Sequence, residues 1–115
     1  MTATIDPLLQ ALADPTRRSM VEQLARGPAS ISDLARPLHI SLPAVLQHVQ
    51  VLQACGLVHS EKVGRVRTCR IETAALRRAE DWFAKQRATW ERRLDRLAEY
   101  LAAEGDTPNE RTIPP

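Results

Sequence analysis

The apolar positions in the first half of the chain recur with the spacing of short amphipathic helices. Four such helices are predicted, over residues 6–12, 15–26, 31–38 and 42–54. Asp14, Ser30 and Ser41 stand just before the last three, where a side-chain oxygen can cap the first backbone N–H groups. Because only a turn at residues 38–40 separates the third helix from the fourth, the pattern predicts a helix–turn–helix.

The pattern changes after Gly56. Two short strands are predicted over residues 57–63 and 66–72, on either side of Gly64. A long helix then runs from residue 74 to about 103, and its apolar residues Phe83, Trp90, Leu94, Leu97 and Leu101 form a heptad-like seam. The predicted fold is therefore mainly α with a small two-stranded β-hairpin: a winged helix–turn–helix, dimeric through its terminal helices.

The length of 115 residues suits one domain, predicted over residues 1–104, with an aliphatic core because aromatic residues make up only 3%. The polar, proline-rich residues 105–115 are predicted to be a disordered tail. No apolar run approaches the roughly 20 residues that a membrane span needs. The first seven residues lack the pattern of a signal peptide, so a cytoplasmic protein is expected.

The charge is small, at +2, but it is unevenly placed. Residues 57–72 carry Lys62, Arg65, Arg67 and Arg70 against two acids, so most of the excess lies in the hairpin. Surfaces that bind phosphates gather cations in this way, because neutralised phosphates release their counterions. A charged hairpin that is merely kept soluble is the plainer alternative.

The fourth helix has an apolar face that suits a core and an opposite face without formal charge. On that outward face Gln47 and Gln50 can pair with adenine edges, and Leu46 can meet a thymine methyl group. Both glutamines could equally be ordinary solvent-facing residues. The predicted DNA-contacting residues are Ser41, Leu42, Pro43, Leu46, Gln47 and Gln50, with Arg17, Arg18, Arg36, Lys62, Arg65 and Arg67 supplying charge.

A second copy of the chain is the predicted protein partner. The predicted dimer interface consists of Leu8, Leu9, Phe83, Trp90, Leu94, Leu97 and Leu101. Two fourth helices would then enter successive major grooves about 34 Å apart, on an imperfect palindrome.

With these motifs in place, the chain resembles the ArsR family of bacterial winged-helix repressors over residues 6–103. The resemblance lies in ALADPTRR at 11–18, LA at 34–35, ISLPAV at 40–45, His48, VL at 51–52, GLV at 56–58 and GR at 64–65. The tryptophans of the last helix resemble one branch of that family. The resemblance implies a homodimeric repressor of a double-stranded DNA operator, released by an effector. The family commonly has Ser and then Lys or Arg where this chain has Leu46 and Gln47, so no operator sequence is transferred.

The sequence gives little support for a metal site, a cofactor site or a catalytic site. Metal-sensing relatives use cysteine pairs in the third helix or acids and histidines in the last one, and this chain has neither arrangement. We therefore predict no metal site, no cofactor and no enzyme. Two alternatives stay open: a winged-helix module that binds proteins instead of DNA, and a thiol- or metal-responsive sensor that uses Cys55 or Cys69. The effector is left unassigned.

Overall fold

The computed structural model describes residues 5–105. Its helices are α1 (Asp6–Leu12), α2 (Pro15–Ala25), α3 (Ile31–Ala35), α4 (Leu42–Ala54) and α5 (Thr73–Gly105), and its strands are β1 (Ala29–Ser30), β2 (Val58–Val63) and β3 (Val66–Ile71). The three predicted caps are confirmed. The side chains of Asp14, Ser30 and Ser41 each accept a hydrogen bond from the backbone N–H three residues on.

The segment between α3 and α4 narrows at Pro37 into a tight turn. The predicted third helix reaches residue 38, whereas α3 ends at Ala35 and continues as a 3₁₀ turn over Arg36–Leu38. Pro37 lacks the N–H that an α-helix needs there, so the narrower turn takes over. His39 then adopts a left-handed conformation with φ of 56°, which reverses the chain into α4.

The sheet has three strands, one more than predicted. β3 is central, with β2 on one side and the two-residue β1 on the other, and both pairings are antiparallel. A strand of two residues has no alternation to detect, so β1 arises only from its pairing with β3, Ala29 with Cys69 and Ser30 with Thr68. Gly64 turns the β2–β3 hairpin with φ of 65°, a conformation that suits glycine. We call this hairpin, residues 58–71, the wing.

The chain divides into two compact units between Glu80 and Asp81, within α5. The first unit has an aliphatic core drawn from its helices and the sheet. The core residues with the largest fully buried side chains are Leu8, Met20, Leu34, Val45, Leu52, Leu57 and Cys69. Packing of α4 and β3 against these residues holds the wing and the helix–turn–helix in one body.

The second unit, as far as it is described, is the rest of α5. The five residues of its heptad-like seam are 45–57% exposed in the single chain. Trp82 and Phe83 stack edge to face, with ring centroids 5.2 Å apart. Among residues 5–105, no helix has both the length and the apolar character needed to cross a membrane. The disordered tail predicted over residues 105–115 lies outside the described residues, apart from Gly105, which is the last residue of α5.

Candidate nucleic-acid interface

The helix α4 has the two faces that its sequence pattern predicts. Val45, Val49 and Leu52 are buried against the core. The predicted base-contacting residues all lie at the surface of the single chain: Ser41, Leu42, Pro43, Leu46, Gln47 and Gln50. Ser41 also caps α4, so its hydroxyl already accepts a hydrogen bond from the backbone N–H of Ala44 at 3.3 Å.

A surface cleft of about 380 Å³ joins the start of α4 to the wing. Leu42 and Leu46 form part of one wall, and Lys62, Arg65 and Arg67 form part of the other. The lining residues within the described chain include these three cations and no acid. An apolar and a cationic wall in one open cleft match the two surfaces of a nucleic acid, its base edges and its phosphates.

Gln47 and Gln50 of α4 border a second depression, of about 400 Å³, together with Arg17, His48 and Val51. Gln47 and Gln50 are exposed, so their amides are free to turn toward a ligand. Both surface depressions therefore border α4, one at its first turn and one along its middle.

Arg17 and Arg18 are less available than their sequence position suggests. Arg17 donates from Nε to the carbonyl of Ala11 at 2.7 Å and from Nη2 to that of Gln10 at 3.2 Å. Its Nη1 lies 3.3 Å from Nδ1 of His48, and Arg18 donates to the carbonyl of Leu12 at 2.8 Å. The last carbonyls of a helix lack partners within it and attract cations. Both arginines therefore have a structural role that the sequence pattern did not indicate.

Arg36 lies at the surface and forms an ion pair with Asp33 at 3.2 Å. Both side chains are largely solvent-exposed, so the pair adds little to stability. A phosphate can displace such a partner at small cost. Arg36 is thus still available for the contact predicted for it.

Arg67 is tied back to α4. Its Nη1 donates to Oγ of Ser60 at 2.9 Å, and that hydroxyl donates to Oε1 of Gln53 at 2.9 Å. Ser60 is only 9% exposed and is the buried polar side chain of the described core. Three elements, β3, β2 and α4, therefore meet in one chain of hydrogen bonds.

Two titrating groups of the first unit, Asp14 and Cys69, have shifted pKa values. A hydrogen bond from the backbone N–H of Arg17 holds the pKa of Asp14 below its usual value, and the charge of Arg17 acts in the same direction. Burial raises the pKa of the Cys69 thiol, against a weaker effect of Arg67. Cys55 is half-buried, with Sγ 3.3 Å from the carbonyl of Leu52. In the described part of the chain, no three His, Cys, Asp or Glu side chains are grouped closely enough to hold a metal.

The predicted dimer residues lie on two helices, two of them on α1 and five on α5. Leu8 has 0% exposure, so it has no surface to offer a second copy, and its predicted interface role is corrected to a core role. Leu8 and Ala11 are the buried residues of α1, and their spacing of three places them on the same face of the helix, toward the core. Leu9 is half-buried. Phe83, Trp90, Leu94, Leu97 and Leu101 are all exposed on the second unit.

The sequence α3, turn, α4 and wing defines a winged helix–turn–helix protein. The family profile described as "Bacterial regulatory protein, arsR family" matches residues 14–60. The HTH-type transcriptional regulator Rv2034 of Mycobacterium tuberculosis is 42% identical over 104 residues, which are 88% of this chain and 92% of that protein. The HTH-type transcriptional repressor SmtB of the same organism is 41% identical over 58 residues, 50% of this chain and 43% of SmtB.

A solved structure supports the same family. The ArsR-like transcriptional regulator from Rhodococcus sp. RHA1 is 36% identical, with a TM-score of 0.76 over 86% of this chain and 93% of that one. The chain belongs to the ArsR family of bacterial transcriptional regulators. The resemblance drawn from the sequence motifs, and the winged helix–turn–helix fold expected with it, are therefore confirmed.

Proposed function

We propose that this chain is a cytoplasmic, homodimeric repressor that binds an imperfect palindrome in double-stranded DNA. The observation that carries the proposal is the cleft in which the first turn of α4 faces the wing cations Lys62, Arg65 and Arg67. SmtB, which is 41% identical over 58 residues, is a repressor. The chain is thus proposed to act by binding, without a catalytic step.

In this proposal the two walls of the interface have different roles. Gln47 and Gln50 read base edges in the major groove, where a glutamine can make two hydrogen bonds to an adenine. Lys62 and Arg65 contact phosphates beside it, and Arg65 at the wing tip can also enter a narrow minor groove. Since α4 carries no formal charge, affinity for phosphates has to come from the wing and from Arg36.

The second copy is proposed to cover the exposed seam of α5. Five large apolar side chains at heptad-like spacing are open to solvent in the single chain. Helices with such a seam stabilise one another by packing it. Pairing of two copies also presents two α4 helices to one duplex, which is what a palindrome requires.

Selection of bound duplexes from a random DNA pool tests the proposal with the full chain. We expect a palindromic motif to emerge. With that motif as operator, Gln47→Ala should lower the preference for it over scrambled DNA by about 5- to 150-fold, the value of one bidentate base contact. Gln10→Ala, which truncates an exposed glutamine on α1 and keeps its carbonyl, is the control and should leave the preference unchanged.

A second measurement separates base contacts from phosphate contacts. Arg65→Ala should weaken binding to all duplexes and reduce the salt slope by about one unit. If the Gln47→Ala variant keeps the full preference for the operator over scrambled DNA, Gln47 does not read a base. If the wild-type chain ignores every duplex even in low salt, the proposal fails, and the protein-binding module becomes the better interpretation.

A further inference from the structure

We propose that Gln53, Ser60 and Arg67 form a brace that sets the position of the wing relative to α4, and that Arg67 acts on DNA binding mainly through this brace. The inference rests on the proposed function, because the position of the wing matters only if the wing contacts DNA. It changes the role expected for Arg67, from a phosphate contact to a positioning residue.

The hydrogen-bond directions within the brace follow from the chemistry of its groups. A guanidinium can only donate, so Ser60 Oγ accepts from Arg67 across 2.9 Å. The single hydroxyl proton of Ser60 is then left for Oε1 of Gln53, also 2.9 Å away. The brace therefore has one consistent set of donors and acceptors. Because Ser60 is buried, losing either partner leaves part of its hydrogen-bonding capacity unmet.

The wing depends on such a brace because its outer part has little packing. Every residue from 61 to 67 is exposed, and the two strands pair with each other there, Lys62 with Arg67 and Val63 with Val66. A two-stranded ribbon with no covered face is only marginally rigid. Ser60 is the last buried residue of β2 before the tip, so the brace lies where the wing leaves the core.

The brace also couples the two walls of the cleft. Gln53 belongs to the same helix as the base-reading face, and Arg67 lies three residues beyond Gly64 at the wing tip. A change in the tilt of α4 therefore moves the wing, and a movement of the wing changes the tilt of α4. We expect the contribution of Arg65 to binding to depend on the brace, even though Arg65 takes no part in it.

A double-mutant cycle on operator binding, followed by fluorescence anisotropy, tests this dependence. In the wild type, Arg65→Ala lowers affinity by some factor. In the Ser60→Ala background that factor should shrink about threefold or more, since groups joined through one network couple while distant ones do not. The control is Arg70→Ala, which removes an arginine from the same strand whose partner is Glu72 at 2.9 Å. In the Arg70→Ala background, Arg65→Ala should lower affinity by the same factor as in the wild type, so the effects of Arg70→Ala and Arg65→Ala should simply multiply.

Two further variants protect the test against misfolding of Ser60→Ala. Gln53 is exposed, so Gln53→Leu removes the acceptor at little risk to the core, and it should reduce the Arg65 effect as Ser60→Ala does. Gln53→Glu keeps an oxygen acceptor and should preserve the coupling. Hydrogen exchange of amides 62–66 in the free protein should speed up in Gln53→Leu and stay unchanged in Gln53→Glu.

The outcomes are distinguishable. If the wild type binds its operator and the effects of Ser60→Ala and Arg65→Ala multiply within about twofold, the brace is overturned and the proposed function stands. If no duplex is bound, the proposed function fails, and the hydrogen-exchange comparison alone decides the brace. Unchanged exchange in Gln53→Leu overturns the brace in either case.

Discussion

Truncation of Leu97 tests whether the seam of α5 pairs two copies of the chain. Leu97 is 52% exposed, so Leu97→Ala removes three carbons of which about half become newly buried on pairing. At about 0.8 kcal/mol per buried carbon this is about 1.2 kcal/mol per copy, and about 2.5 kcal/mol for a symmetric dimer. Since 1.4 kcal/mol is a factor of ten, the dimer dissociation constant should rise about 60-fold.

Sedimentation velocity over a dilution series measures this constant without DNA. The matched control is Leu46→Ala, the same truncation at a leucine that is 39% exposed on α4 in the first unit. It should leave the dissociation constant unchanged. A monomeric wild type at tens of micromolar, or a shift below about threefold for Leu97→Ala, refutes pairing through this seam.

Two other predictions concern titrating groups. The depressed pKa of Asp14 stabilises the folded chain above the unfolded value of 3.8, and this contribution disappears as pH falls through the lower native pKa. Asp14→Asn keeps a capping oxygen and removes only the charge. The thermal midpoint of this variant should therefore lie below that of the wild type at pH 6 and equal it in strong acid, where Asp14 is protonated. A difference in thermal midpoint that persists in strong acid contradicts the charge effect. In the folded protein at pH 8, a disulfide reagent should modify Cys55 faster than Cys69, because burial raises the pKa of Cys69. Cys55→Ser should leave only the slow reaction, and fast modification of Cys69 in that variant contradicts the burial argument.

Local features of this protein were predictable because their physical causes are local. The caps at Asp14, Ser30 and Ser41 need only an oxygen three residues before an N–H. The two faces of α4 follow from the helical period. The turn at residues 38–40 follows from the short interval between two predicted helices, and His39 adopts a left-handed conformation within it. The base-reading face predicted on α4 therefore lies at the surface as expected.

The features that the pattern missed all depend on contacts between different elements of the folded chain. Strand β1 exists because β3 offers it an edge, and two residues carry no periodic signal of their own. Leu8 has the same apolar character as an interface residue, and only its packing shows that it is buried. Arg17 has the charge of a phosphate contact, yet the carbonyls of Gln10 and Ala11 at the end of α1 accept hydrogen bonds from its guanidinium.

The helix–turn–helix, the charged wing and the heptad-like seam of α5 were thus settled by the order of residues, since helix period, capping and turn chemistry act over a few positions. The wing brace could not be found in this way. Gln53, Ser60 and Arg67 lie seven residues apart, on a helix and two strands, and nothing in their order marks them as partners. Their hydrogen bonds exist because burial of Ser60 excludes water and forces the hydroxyl to find its partners within the folded chain.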